Sequence, residues 1–138
     1  MAAIRGADTK PEMIIRRGLH ARGFRFRLHD RKLPGRPDLV LPKYRTVILV
    51  NGCFWHGHRC ALFKWPKTRE AFWREKIGGN AERDRKNLAT LKSGRWRIAI
   101  IWECALKGRQ RRDAGDVIDA LAIWLSSDEA ELEIRGFR

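Results

Sequence analysis

The chain has 138 residues and a mass of 16.1 kDa, room for one hydrophobic core and little more. It is 43% hydrophobic and 33% charged, with 30 lysines and arginines against 16 acids and a net charge of +14, which excludes a disordered class and favours a polyanion as partner. No apolar run reaches the ~20 residues that cross a bilayer, the opening Met1–Asp8 lacks a signal peptide's apolar stretch, and three cysteines without an export signal exclude a disulfide framework, so the expectation is a cytoplasmic, nucleic-acid-facing protein.

Residues 1–8 read as a short arm. Thr9-Lys10-Pro11-Glu12 is a capping-box pattern with proline early in the first turn. It predicts a helix through about Arg22, stopped by Gly23. Phe24-Arg25-Phe26-Arg27-Leu28 alternates as a half-buried strand does, and Leu33-Pro34-Gly35-Arg36-Pro37 is turn chemistry. Asp38–Leu41 then reads as a strand, Pro42–Arg45 as a turn and Thr46–Val50 as a fully buried strand. Thr68 is the candidate cap of a helix running to Gly78-Gly79, and a second helical stretch covers about Ala81–Ser93 before Gly94. Trp96–Trp102 predicts another apolar strand, Asp116–Leu125 a helix, and residues 126–138 a polar tail. The order α-β-β-β-α-β-α predicts an α/β class, one domain over 1–138 with a mixed central sheet flanked by helices.

The densest chemistry is Cys53-Phe54-Trp55-His56-Gly57-His58-Arg59-Cys60, two thiols and two imidazoles in one loop. Cys104 follows directly after the strand that ends at Trp102. Three cysteines and one histidine form a closed, tetrahedral structural zinc site, and this set uses every cysteine of the chain. Such an ion would staple the loop after the central strand to the end of a strand about fifty residues away. Either His56 or His58 can be the fourth ligand, and the one left over is a rigidly held imidazole suited to general acid or base work.

In so basic a chain, carboxylates at junctions stand out. Asp38 begins a strand expected to pair with Thr46–Val50, where a carboxylate and a main-chain carbonyl can meet one Mg²⁺. A turn-stabilising Asp is the plainer explanation, as position N3 of a capping box is for Glu12. Asp84 falls on one helical stripe with Ala81, Leu88 and Leu91, so it is expected to point inward, where a partner such as His56 would satisfy it. Phe54-Trp55 and Phe72-Trp73 lie beside arginines and lysines and can wedge between bases, although core packing is the commoner fate of such rings. Arg16, Arg17, Lys107, Arg109, Arg111 and Arg112 read as a solvated face that attracts phosphates.

Leu33-Pro34-Gly35-Arg36-Pro37-Asp38, Asn51–Cys60, Phe72–Ile77, Asn80, Glu82-Arg83-Asp84-Arg85 and Trp102–Leu106 together resemble the very-short-patch mismatch repair endonuclease family, in order from Met1 to about Arg109. The resemblance implies a restriction-endonuclease-like fold. It also implies a Mg²⁺-dependent nick beside the T of a T·G mismatch left by deamination of 5-methylcytosine. By position, Asp38 resembles the family's metal-binding carboxylate, with the Val50 main-chain carbonyl beside it, and His56 its general base. Asp84 resembles the acid that orients that histidine, and Glu12 an accessory active-site acid. Cys53, His58, Cys60 and Cys104 match the zinc ligands, which assigns His58 to the metal. Phe54, Trp55 and Trp73 match the wedging aromatics, and Lys76 and Asn80 align with residues expected to contact bases. Val50 and Asn51 depart from the family's threonine and histidine, and Met1 aligns inside its N-terminal region, so most of a DNA-clamping arm is expected to be missing. The usual acid-x-Lys of the wider nuclease pattern is replaced by Val50-Asn51-Gly52, which leaves His56 as the candidate base. The setting so implied is a monomer at the nucleoid, linked to a DNA cytosine methyltransferase and to mismatch-repair proteins. Two other readings fit the same residues: a zinc-stabilised, non-catalytic DNA-binding or mismatch-sensing module, and a nicking nuclease of a restriction-modification system.

Overall fold

Thr9 caps the first helix as its sequence pattern requires. In the computed structural model, which describes residues 8–138, helix α1 spans Lys10–Ala21 and the Thr9 side chain accepts the Glu12 N–H. The reciprocal half of the capping box is not made, because the Glu12 carboxylate reaches past Thr9 to the N–H of Asp8. The expected arm, apart from Asp8, lies outside the described residues.

The chain then lays down β1 (Arg27–Leu28), β2 (Leu39–Leu41) and β3 (Thr46–Asn51), crosses through α2 (Glu70–Ser93) to β4 (Arg97–Trp102), and through α3 (Ala114–Leu125) to β5 (Glu131–Ile134). The five strands stand in sequence order, β1 to β3 antiparallel and β3 to β5 parallel. This is an α/β protein with a mixed sheet, as composition and element order predict.

Strand alternation sends side chains to both faces. Leu39, Leu41, Ile48, Ala99, Ile101 and Ile134 meet Ile15 and Leu19 of α1 and Val117, Leu121, Trp124 and Leu125 of α3. Val40, Val47 and Ile98 face the other way, toward Leu91 of α2. At about 25 cal/mol per Å² of apolar surface, these two layers are the main force holding the sheet against its helices.

Three elements differ from their sequence patterns. The alternating run Phe24–Leu28 pairs over Arg27–Leu28 alone, while Phe24 and Phe26 pack on the core from outside the ladder. Gly78-Gly79 does not split α2, which runs 24 residues unbroken from an Arg69 cap in the left-handed region, with no side-chain cap from Thr68. A glycine costs a helix roughly 1 kcal/mol but ends it when the backbone turns left-handed, and neither of these two has a positive φ. The supposed polar tail contains β5, whose Glu-Leu-Glu-Ile alternation is a strand pattern with a solvated face.

Candidate active site and metal cluster

The parallel register of β3 and β4 brings the loops that follow them together. Asn51 stands opposite Trp102, so Cys53 and Cys104, each two residues beyond its strand, emerge side by side. The Cys104 N–H donates to Cys53 Sγ at 3.3 Å, and Gly136 and Leu62 give their N–H groups to Cys104 Sγ and Cys60 Sγ at 3.3 and 3.4 Å. The ligand atoms of Cys53, His58, Cys60 and Cys104 all lie within 4.8 Å of one another, and Cys104 Sγ is 3.7 Å from His58 Nδ1. The edge between sulfur and nitrogen in a tetrahedral zinc site is about 3.6 Å from its bond lengths, so this cluster fits a tetrahedral metal ion. Burial pushes the Cys53 and Cys104 thiols up and the His58 imidazole down. A neutral imidazole and thiols that lose their protons only to a strong cation suit such an ion. Trp102 stacks flat on His58, ring centroids 4.1 Å apart, and its indole N–H donates to Glu133. Glu103 accepts the Cys53 N–H at 3.1 Å. Neither Trp102 nor Glu103 stood out by spacing; each is visible only once β4 is laid beside β3.

His56 lies in the same loop but outside the four-donor cluster. Its Nδ1 donates to Asp84 Oδ2 at 2.5 Å, which fixes the ring and leaves Nε2 as the basic nitrogen. Asp84 is half-buried rather than turned fully inward with Leu88 and Leu91, as its stripe predicts. The acid reaches His56 from the rim of the helix face. His56, Asp84, Asp38 and Val50 line one cleft of about 210 Å³, together with Arg36, Asn51 and Asn87.

Asp38 sits where the Pro34–Pro37 turn enters β2, and only 7% of it is exposed. Its Oδ2 accepts the Val50 N–H at 2.7 Å. Burial, reinforced by the charge and contact of the neighbouring Glu12 carboxylate and opposed by that N–H, pushes Asp38 up to about 8. Glu12 itself is 1% exposed. Two carboxylates forced together out of water need a dication or a proton, and oxygen ligands suit Mg²⁺, so this pair and the adjacent main chain fit such an ion. Beside it lies a residue that sequence reasoning missed: His29, whose Nε2 is 2.8 Å from Glu12 Oε2. It carries no motif and stands 17 residues from Glu12, so no local signal marks it.

The aromatics named from the sequence form a single cluster. Phe54 lies 5.0 Å from Trp55 and 5.6 Å from Trp73, edge to face, and Trp55 lies 5.8 Å from Trp73. Phe63, missed by the motif reading, extends it at 5.9 Å from Phe54. Phe72 is 43% exposed with the Arg69 guanidinium over its ring. Lys76 is exposed, and the Asn80 amide donates to the Trp55 carbonyl at 2.9 Å, tying α2 to the loop. At 3.6 residues per turn, Trp73, Asn80 and Asp84 share one stripe of α2. Among the described residues no helix is long and apolar enough to cross a membrane.

Residues 1–62 match a family model described as DNA mismatch endonuclease Vsr. The chain is 46% identical over 134 residues to the DNA mismatch endonuclease Vsr of Escherichia coli (strain K12), covering 97% of this chain and 86% of that protein. It is 46% identical over 106 residues to the type II nicking enzyme V.XorIIP of Xanthomonas oryzae pv. oryzae, covering 77% of this chain and 78% of the relative. To the type II nicking enzyme V.NmeAIP of Neisseria meningitidis serogroup A it is 44% identical over 109 residues, covering 79% and 78%.

Proposed function

The chain belongs to the Vsr family of DNA mismatch endonucleases, and we propose that it nicks double-stranded DNA beside the T of a T·G mismatch, as one restriction-endonuclease-like domain acting as a monomer. The observation that carries this reading is the division of labour within one loop: His58 belongs to the Cys/His cluster, while His56, held by Asp84, faces the cleft that contains Asp38.

Asp38 and the Val50 main-chain carbonyl would hold Mg²⁺, which supplies, when bound, neutralisation of phosphate charge and a more acidic water. His56 Nε2 takes the proton from the attacking water, whose oxygen bonds to phosphorus as the phosphorus–oxygen bond to the leaving strand breaks. Asp84 holds the imidazole in the tautomer that can accept that proton and balances the imidazolium once it forms. Glu12 stands behind Asp38 as the accessory acid. Cys53, His58, Cys60 and Cys104 would hold Zn²⁺, which keeps the His56 loop rigid without touching the reaction.

Phe54, Trp55 and Trp73 wedge into the duplex beside the mismatch, where unstacking a step costs about a few kcal/mol and is least costly at a mispair. Lys76 and Asn80 contact bases nearby, and the net charge of +14 attracts the backbone. The setting that follows is the cytoplasm and nucleoid of a cell whose cytosine methyltransferase makes the 5-methylcytosine that deaminates to the lesion, alongside its mismatch-repair proteins.

Purified protein incubated with T·G and matched duplexes, with and without Mg²⁺, tests the proposal. A single nick confined to the T strand of the mismatched duplex, only in Mg²⁺, supports it; binding without cleavage supports a mismatch-sensing module instead. The relatives named type II nicking enzymes favour a second reading, in which the same chemistry serves a restriction-modification system. Varying the bases around the T·G pair separates the two readings.

A further inference from the structure

Glu12 is clamped from outside the cleft. Its Oε1 accepts the Asp8 N–H at 3.0 Å, and its Oε2 faces His29 Nε2 at 2.8 Å and Arg16 Nη1 at 3.4 Å. A carboxylate can only accept, so Nε2 carries the hydrogen of this bond. The His29 main-chain N–H donates to the Asp38 carbonyl at 3.1 Å, so one residue holds both Asp38 of the cleft and the Glu12 behind it, one through its backbone and one through its ring. Its φ is 48°, a left-handed conformation that a non-glycine residue keeps only where its surroundings hold it.

Asp8, Glu12 and His29 lie close enough to chelate an ion of their own. Arg16, however, bonds Asp8 Oδ1 at 2.7 Å and also reaches Glu12, which puts a positive charge where such an ion would sit. The trio is a clamp rather than a separate metal site.

We propose that His29 is a positioning residue: by donating Nε2–H to Glu12 it fixes that carboxylate against Asp38 and sets the affinity of the cleft for its divalent cation. This rests on the reading of the cleft as a Mg²⁺ site. Without the imidazole, Oε2 keeps only the long 3.4 Å contact to Arg16, and repulsion from Asp38 is free to turn Glu12 away. A misdirected carboxylate contributes less to holding a dication, whereas the DNA-facing aromatics and the Cys/His cluster are unaffected.

Two variants of the full chain test this. His29→Asn keeps a residue that tolerates the left-handed backbone but is too short to reach Glu12, and His29→Gln restores a donor of nearly the original reach. The readout is the rise in melting temperature as Mg²⁺ is added, followed alongside nicking and zinc content. His29→Asn should keep its zinc, melt somewhat lower without metal because a buried acceptor loses its donor, and need on the order of 10-fold more Mg²⁺ for the half-maximal rise, and His29→Gln should recover most of both losses. Equal Mg²⁺ midpoints in the Asn variant and the parent overturn the role of His29 alone. A parent chain with no Mg²⁺-dependent rise overturns the cation reading of the cleft, and this role with it.

Discussion

The Cys/His cluster and the carboxylate cleft share a loop yet are built on opposite principles. The cluster draws its four donors from two segments that the β3–β4 register sets side by side, and its main-chain N–H groups already point at the sulfurs. It is closed. The cleft is open, and its Asp38 is pressed against the buried Glu12 behind it at a cost that only a cation or a proton removes. One region spends binding energy on holding shape; the other stores electrostatic strain that a ligand relieves. Variants in the two regions should therefore fail in different ways.

The largest effect belongs to the cleft. Asp38→Ala should lower the nicking rate by roughly 10³-fold or more, because the cation's main anchor is gone, while DNA binding persists. Its Mg²⁺-free melting temperature should hold or rise, since a buried acid pressed against Glu12 is removed. A fall in stability matching that of a cluster variant would erase the contrast. His56→Ala should cost about 10²–10⁴-fold in rate, the usual worth of a positioned base, with zinc content unchanged; loss of zinc would mean that the wrong histidine has been given to the metal.

Cys104→Ala inverts the pattern. Zinc content and stability should fall together, with a melting temperature lower by roughly 10 °C or more, and activity should follow only through unfolding. Equal melting temperatures in the variant and the parent would show that the cluster is not structural.

The smallest effect sharpens the comparison through pH. Burial beside Glu12 pushes Asp38 up to about 8 in the folded, Mg²⁺-free protein, from 3.8 in the unfolded chain. Between those values the folded state keeps a proton that the unfolded chain has released, so stability falls as pH rises through that window and levels off above it. Thermal melts in Mg²⁺-free buffer from pH 5 to 9 should show that slope, Asp38→Asn should flatten it, and Mg²⁺ should stabilise more at pH 8.5 than at pH 5.

How much of this was legible follows the same division. Soft donors announce themselves by residue type, so Cys53, Cys60 and Cys104 stood out before any fold was known, while the choice of His58 over His56 came from the family resemblance. Their juxtaposition depends on one parallel register that apolar strands at Thr46–Val50 and Trp96–Trp102 already suggest. The cleft was less legible because Asp38 and the Glu12 behind it each have an ordinary local explanation, Asp38 as a turn residue and Glu12 as a cap residue. His29 had no signal at all, since its partner Glu12 stands 17 residues away in helix α1. Helix α2 hid a further link. Read as two helices broken at Gly78-Gly79, it separates Trp73 from Asp84; as one rod of 24 residues it joins the aromatic cluster to the His56 partner along a single stripe. The β5 strand was concealed by Glu131 and Glu133, which mark its solvated face rather than a tail.

The most direct test is anomalous diffraction from crystals grown with a mismatched duplex and Mn²⁺ in place of Mg²⁺, collected at the zinc and manganese edges. The account predicts a zinc peak among the three sulfurs and His58, a separate manganese peak at the Asp38 carboxylate, and His56 bound to neither. A peak ligated by His56, or manganese only at sites remote from Asp38, would contradict it.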